Sequence, residues 1–130
     1  MGKYDKKIVV TAAILGALTI AIGAFGAHGL KQLVDSDAIL SFETGVRYQM
    51  FHVLALLVLG FANALSTITR KWVFWFFVFG IVFFSGSIYL LSINDLLDFD
   101  TSVLGPVTPI GGIFFILGWC RLAYGAFTLK

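Results

Sequence analysis

Four stretches of this chain, residues 8–30, 46–65, 72–93 and 104–129, are apolar almost throughout, with Arg47 and Arg121 their only charged members. A helix needs a run of about 20 such residues to cross the hydrocarbon of a bilayer. In that medium every backbone amide must find its partner within the protein. A helix does this within one segment, whereas barrel strands would be half as long and would alternate in polarity. The expected fold is therefore an all-α membrane protein, a four-helix transmembrane bundle in one domain over residues 1–130, with spans near 8–30, 46–66, 72–93 and 108–128. Composition agrees: 59% of the residues are hydrophobic, 12% are charged and the mean hydropathy is +0.97. That leaves too little polar surface to coat a soluble globule of this size.

The first run follows Lys3, Lys6 and Lys7, and Ala24-Phe25-Gly26 has the small residues of a signal-peptide cleavage site. Its apolar stretch exceeds a secretory core, so a retained span is expected. The single cysteine, Cys120, falls inside the last run, which rules out an intramolecular disulfide and any cysteine-based zinc site.

Charge is sided. Lys3, Lys6, Lys7, Arg70, Lys71 and Lys130 occupy the amino terminus, the second link and the carboxyl terminus, whereas Asp35, Asp37, Glu43, Asp95, Asp98 and Asp100 occupy the first and third links. Short basic segments stay in the cytoplasm, so a multi-pass protein with both termini cytoplasmic and the acidic links outside is expected. Six cations over three segments need only mark topology, and no nucleic-acid partner is implied.

Small residues draw two stripes. Ala12, Gly16, Thr19, Gly23 and Gly26 fall on one side of the first span, and Gly111, Gly118 and Gly125 recur every seven residues in the last. In lipid such stripes let helix backbones approach closely, so Gly16, Gly23, Gly26, Gly111, Gly118 and Gly125 are taken as packing seams. The glycines of residues 23–30 resemble a nucleotide loop only superficially, since no strand precedes them. Asp35, Ser36 or Asp37 can cap a helix with Ile39, Phe42 and Val46 on one side. That helix is read as a short outer interfacial segment turning into the second span near Gly45, the open alternative being one continuous helix.

The blocks GAFGAHGL (residues 23–30), RYQMFHVLALL (47–57), FSGSIYLL (84–91) and LGPVTPIGGIFFILGW (104–119) resemble, in this order, an uncharacterised bacterial membrane family called domain of unknown function 423. The resemblance covers nearly the whole chain and implies a four-span inner-membrane protein. It brings no reaction, substrate, cofactor or catalytic residue.

What chemistry remains is placed at the outer face. With span 1 ending at His28 and span 2 beginning before His52, both imidazoles are expected at one depth. Glu43, Arg47, Tyr48, Gln49 and the helix start at Thr108 would complete a candidate binding cluster. No Asp, Glu, Lys or His is expected at mid-membrane, which counts against proton-coupled transport. Ser85 and Ser87 have no base nearby in sequence, so no catalytic residue is assigned. Two histidines at one depth could ligate haem iron or a metal, but no third ligand type is evident, and no cofactor or metal is assigned. The expected function is that of a structural or interaction protein that self-associates through a glycine-bearing face in contact with membrane lipids. The alternative is binding or permeation of an unidentified small solute or lipid headgroup through the outer cluster.

Overall fold

A computed structural model describes residues 4–130; Lys3, counted above among the cations, lies outside them. Among the described residues there is helix and no strand. Helix α1 (Lys6–Ala27) starts where Asp5 accepts the Ile8 amide at 3.2 Å. Helix α2 (Ser36–Phe61) starts where Asp35 accepts the Ala38 amide at 2.8 Å. Helix α3 (Thr67–Gly80) is capped by Ser66, whose hydroxyl accepts the Thr69 amide at 3.2 Å. Each cap satisfies an amide that the first turn would leave bare. Helix α3 runs through a π-helical turn (Ile81–Ser85) into α4 (Gly86–Ser92), making one 26-residue rod, and α5 (Val107–Phe127) completes the set. Among the described residues four helices are long and apolar enough to cross a membrane.

The second span differs from expectation. Residues 36–45 do not form a separate interfacial helix; they are the opening turns of α2, which begins ten residues before the expected start at Val46. Gly45 serves packing and not hinging: a Cβ there would lie 2.8 Å from the Tyr89 ring, so the bare backbone admits a bulky neighbour from α4. The charges of Glu43 and Arg47 belong to the exposed side of a helix that runs straight through them.

In the middle of the bundle α2 lies against the π turn and α4, while α1 flanks α2 and α5 flanks α3. Gly16 of α1 faces Val53, Gly23 faces Val46 and Gly26 faces Phe42, with Gly60 of α2 answering against Val9. On the other flank Gly125 faces Thr69, Gly118 faces Phe77, Gly111 meets the Phe84 backbone, and Gly80 receives Phe115. Both pairs are thus antiparallel. The start of α1, the α2–α3 turn and the end of α5 share one end of the bundle, with Lys6, Lys7, Arg70, Lys71 and Lys130. The opposite end carries Asp35, Asp37, Asp95, Asp98 and Asp100. Between the flanks lies a core of Leu56, Val73 and Phe77, all fully buried.

The π turn also explains how one rod serves two neighbours. An extra residue in the turn rotates the faces of α4 relative to those of α3. As a result α3 packs chiefly on α5 and α4 chiefly on α2.

Candidate functional site

Gln49 stands midway along α2, and its amide joins three helices. Its Nε2 donates to Thr19 Oγ1 on α1 at 2.9 Å, and its Oε1 accepts the Tyr89 hydroxyl of α4 at 2.6 Å. Thr19 donates in turn to the Leu15 carbonyl at 2.6 Å. Close by, Ser85 of the π turn donates to the Gly45 carbonyl of α2 at 2.7 Å. Thr19, Gln49 and Ser85 are all buried. At this depth an unpaired polar group is costly, and each side chain in the chain of bonds has found a partner.

His52 lies one turn further toward the basic end. Its Nε2 is 3.0 Å from Trp119 Nε1, and its Nδ1 is 2.7 Å from the Tyr48 carbonyl. An indole N–H can only donate, so Nε2 accepts and Nδ1 carries the proton that goes to Tyr48: the pattern is that of a neutral imidazole in one tautomer. Phe115 stacks on the ring at 3.6 Å with planes 10° apart, and Phe77 meets it edge-on at 5.0 Å. The histidine therefore ties α2 to α5 through an apolar layer.

The expected outer cluster is not one site. His28 caps the end of α1, exposed, at the level where Gly26 faces Phe42; His52 lies ten residues beyond Phe42, about 15 Å along the axis at 1.5 Å per residue. The two imidazoles do not share a depth. The error comes from the misplaced start of span 2, which put a mid-membrane histidine at the surface. Glu43, Arg47 and Tyr48 are exposed, Gln49 and His52 are internal, and Thr108 bonds the Ser87 hydroxyl at 2.5 Å. Sequence reasoning missed Thr19, Tyr89 and Trp119 as bonding partners. Thr19 falls within the small-residue seam of the first span, and a hydroxyl inside such a seam is the available signal.

At the acidic end α2, α4 and α5 converge on a groove of about 330 Å³. Its polar lining is Asp37, Ser41, Ser92 and Thr108, set among Ile88 and Leu91. Ser92 donates to the Ile88 carbonyl and Ser87 to the Phe84 carbonyl, so neither hydroxyl is poised beside a base. Among the described residues no group of three or more His, Cys, Asp or Glu could hold a metal ion.

Comparison with known proteins agrees with this architecture. The profile of a family described as a protein of unknown function, DUF423, matches residues 22–112. A UPF0382 membrane protein of Staphylococcus saprophyticus is 38% identical over 124 residues, covering 95% of this chain and 99% of the relative. The UPF0382 membrane protein YwdK of Bacillus subtilis is 39% identical over 123 residues, 93% of this chain and 96% of the relative. The UPF0382 inner membrane protein YgdD of Escherichia coli is 39% identical over 126 residues, 95% and 91% respectively. No solved structure matches.

Proposed function

The chain belongs to the DUF423 family of membrane proteins, and from that premise we propose that it is a non-enzymatic interaction protein of the bacterial inner membrane that works as a self-associated assembly. What supports the non-enzymatic part is the state of its polar interior. The Ser85 and Ser87 hydroxyls are spent on carbonyls, and the one buried imidazole is held on both nitrogens by structural partners. Both termini are assigned to the cytoplasm on the sidedness of charge, and the Escherichia coli relative is named an inner membrane protein.

The association surface is not the one the glycines suggested, because those are used within the chain. The carrying observation is a second stripe on α1: Ala13, Ala17, Ala21 and Ala24 succeed one another at steps of four, four and three, all exposed. They lie on the side opposite Ala12, Thr19 and Gly26, which are buried against α2. A second copy can approach such a face to backbone distance. Cross-linking in native membranes tests it: a dimer or larger species is expected, weakened by Ala17→Leu, and lone chains at every concentration would end the proposal.

A second reading rests on the acidic-end groove. Its carboxylate and three hydroxyls beside aliphatic walls suit a small amphiphile bearing a cation or hydroxyls. Asp37→Asn and Thr108→Val should each weaken such binding, and equal binding by both variants would remove it.

A further inference from the structure

The starts of α1 and α3 enclose a cavity of about 200 Å³ at the basic end, lined by Asp5, Lys7, Thr67, Lys71 and the rings of Phe74 and Trp75. Lys7 is already placed at its mouth: Nζ lies 4.9 Å from the Trp75 ring centre and 5.5 Å from that of Phe74. Asp5 spends an oxygen on the Ile8 amide. Two ammonium groups thus stand against one capping carboxylate, and the lining is net positive. The same end carries Arg70 Nε and Arg121 Nη1, both enclosed without a hydrogen-bond partner among the described residues.

Below each lysine runs an apolar track. Helical spacing from Lys7 leads to Ile14 and Leu18 on α1, and from Lys71 to Trp75, Phe79 and Val82 on the third span, all of them exposed. A cationic, hydroxyl-bearing head above two lipid-facing tracks is complementary to an amphiphile with an anionic head. We propose that this cavity is a binding site for a phospholipid of the adjoining leaflet, with its phosphate between Lys7 and Lys71, the Thr67 hydroxyl donating to it, and its acyl chains along the tracks. Ammonium groups are good point-charge partners for phosphate, and the aromatic rings sit at the level where such rings meet headgroups. The Lys7 stripe borders the alanine stripe on α1, with Ile14 one turn before Ala17, so lipid retention is read on single chains, which tests this site apart from self-association.

Native mass spectrometry of the full chain released from detergent micelles tests it. The probes are phosphatidylglycerol and a diacylglycerol with the same acyl chains. Wild type is expected to retain phosphatidylglycerol and lose diacylglycerol. The double variant Lys7→Gln/Lys71→Gln should retain about tenfold less, a change one lost charge-assisted contact can produce. Lys7→Arg/Lys71→Arg should keep retention, and Lys31→Gln/Lys130→Gln should leave it unchanged. Should the glutamine pair fail to fold, Lys71→Gln alone and the comparison of the two lipids on wild type decide. Equal retention of both lipids, or a folded glutamine variant that binds as wild type does, overturns the site. So does release of the lipid by millimolar inorganic phosphate, which would make the ligand a soluble anion.

Discussion

The two flanking helices are held by different means. Helix α5 meets α3 and the π turn at glycines set tight against their neighbours, with the rings of Phe114 and Phe115 between them: a Cβ on Gly118 would lie 2.5 Å from the Phe77 ring, and one on Gly111 would lie 2.6 Å from the Phe84 Cα. Helix α1 meets α2 with more room at its middle, 3.4 Å at Gly16 and 3.2 Å at Gly23, although Gly26 and Gly60 are as tight as Gly118, and it adds the hydrogen bond from Gln49 to Thr19. In lipid there is no hydrophobic drive between helices, so contact must come from close packing or from polar pairing. Between α5 and α3 the first dominates, the polar contacts of α5 going instead to α2 and α4 through Trp119 and Thr108, whereas between α1 and α2 a looser middle is joined by the second.

If this is right, Gly111→Ala is the most damaging small change in the molecule. Its neighbour is backbone, which cannot swing aside as a side chain can. Overpacking of this kind costs about 3 kcal/mol. Reversible unfolding in mixed micelles should show that loss. A variant as stable as wild type would mean that α5 is not seated as tightly as its glycines imply.

On the other flank the polar link is the element to break. Gln49→Leu removes the bond to Thr19 and strands the Tyr89 hydroxyl at mid-depth, for an expected loss of about 1–2 kcal/mol. Tyr89→Phe in the same chain should recover part of it, since the stranded hydroxyl is then gone. A double-mutant cycle measures this directly. Strict additivity of the two changes would show that the bond between them carries nothing.

The two flanks are unequally legible in the sequence. The seven-residue recurrence of Gly111, Gly118 and Gly125 announces a seam without naming its partner, because helical periodicity describes one helix and not the face it meets. The start of α2 is hard to place for a physical reason: Glu43 and Arg47 are charged, Gly45 is a weak helix former, and hydropathy averages over all sides of a helix. Only the tertiary contact of Gly45 with Tyr89 shows why the chain stays helical there. Placing that start too late moves His52 to the surface and hides its pairing with Trp119, 67 residues away in sequence. The π turn has no sequence signature beyond FSGS, and the rotation it produces is set by what α2 and α5 each need from the third span.

Room on the α1 side makes a smaller, opposite prediction. A Cβ at Gly16 would touch the Val53 methyl at 3.4 Å, an ordinary contact. Alanine also favours helix over glycine by about 1 kcal/mol. Gly16→Ala should therefore leave stability unchanged or raise it slightly in the same unfolding assay. A loss approaching that of Gly111→Ala would erase the distinction between the flanks.

The smallest effect should come from a hydrogen bond of the same kind placed in water. In the acidic-end link Asp100 accepts the Ser102 amide at 2.9 Å and its hydroxyl at 2.8 Å, and these bonds hold the carboxyl below its usual pKa. Asp100 is fully exposed, so solvent replaces what is lost when the bonds break. A depressed folded-state pKa means that its contribution is complete above the ordinary carboxylate range and fades only as pH falls below it. Exchange of the Ser102 amide should accordingly be flat from pH 7 down to about pH 4 once corrected for intrinsic rate, and quicken only in stronger acid. Asp100→Asn should remove that acid step while leaving the unfolding of the bundle untouched. If Asp100→Asn instead destabilised the bundle as much as Gln49→Leu does, burial would not be what gives the Gln49 link its weight.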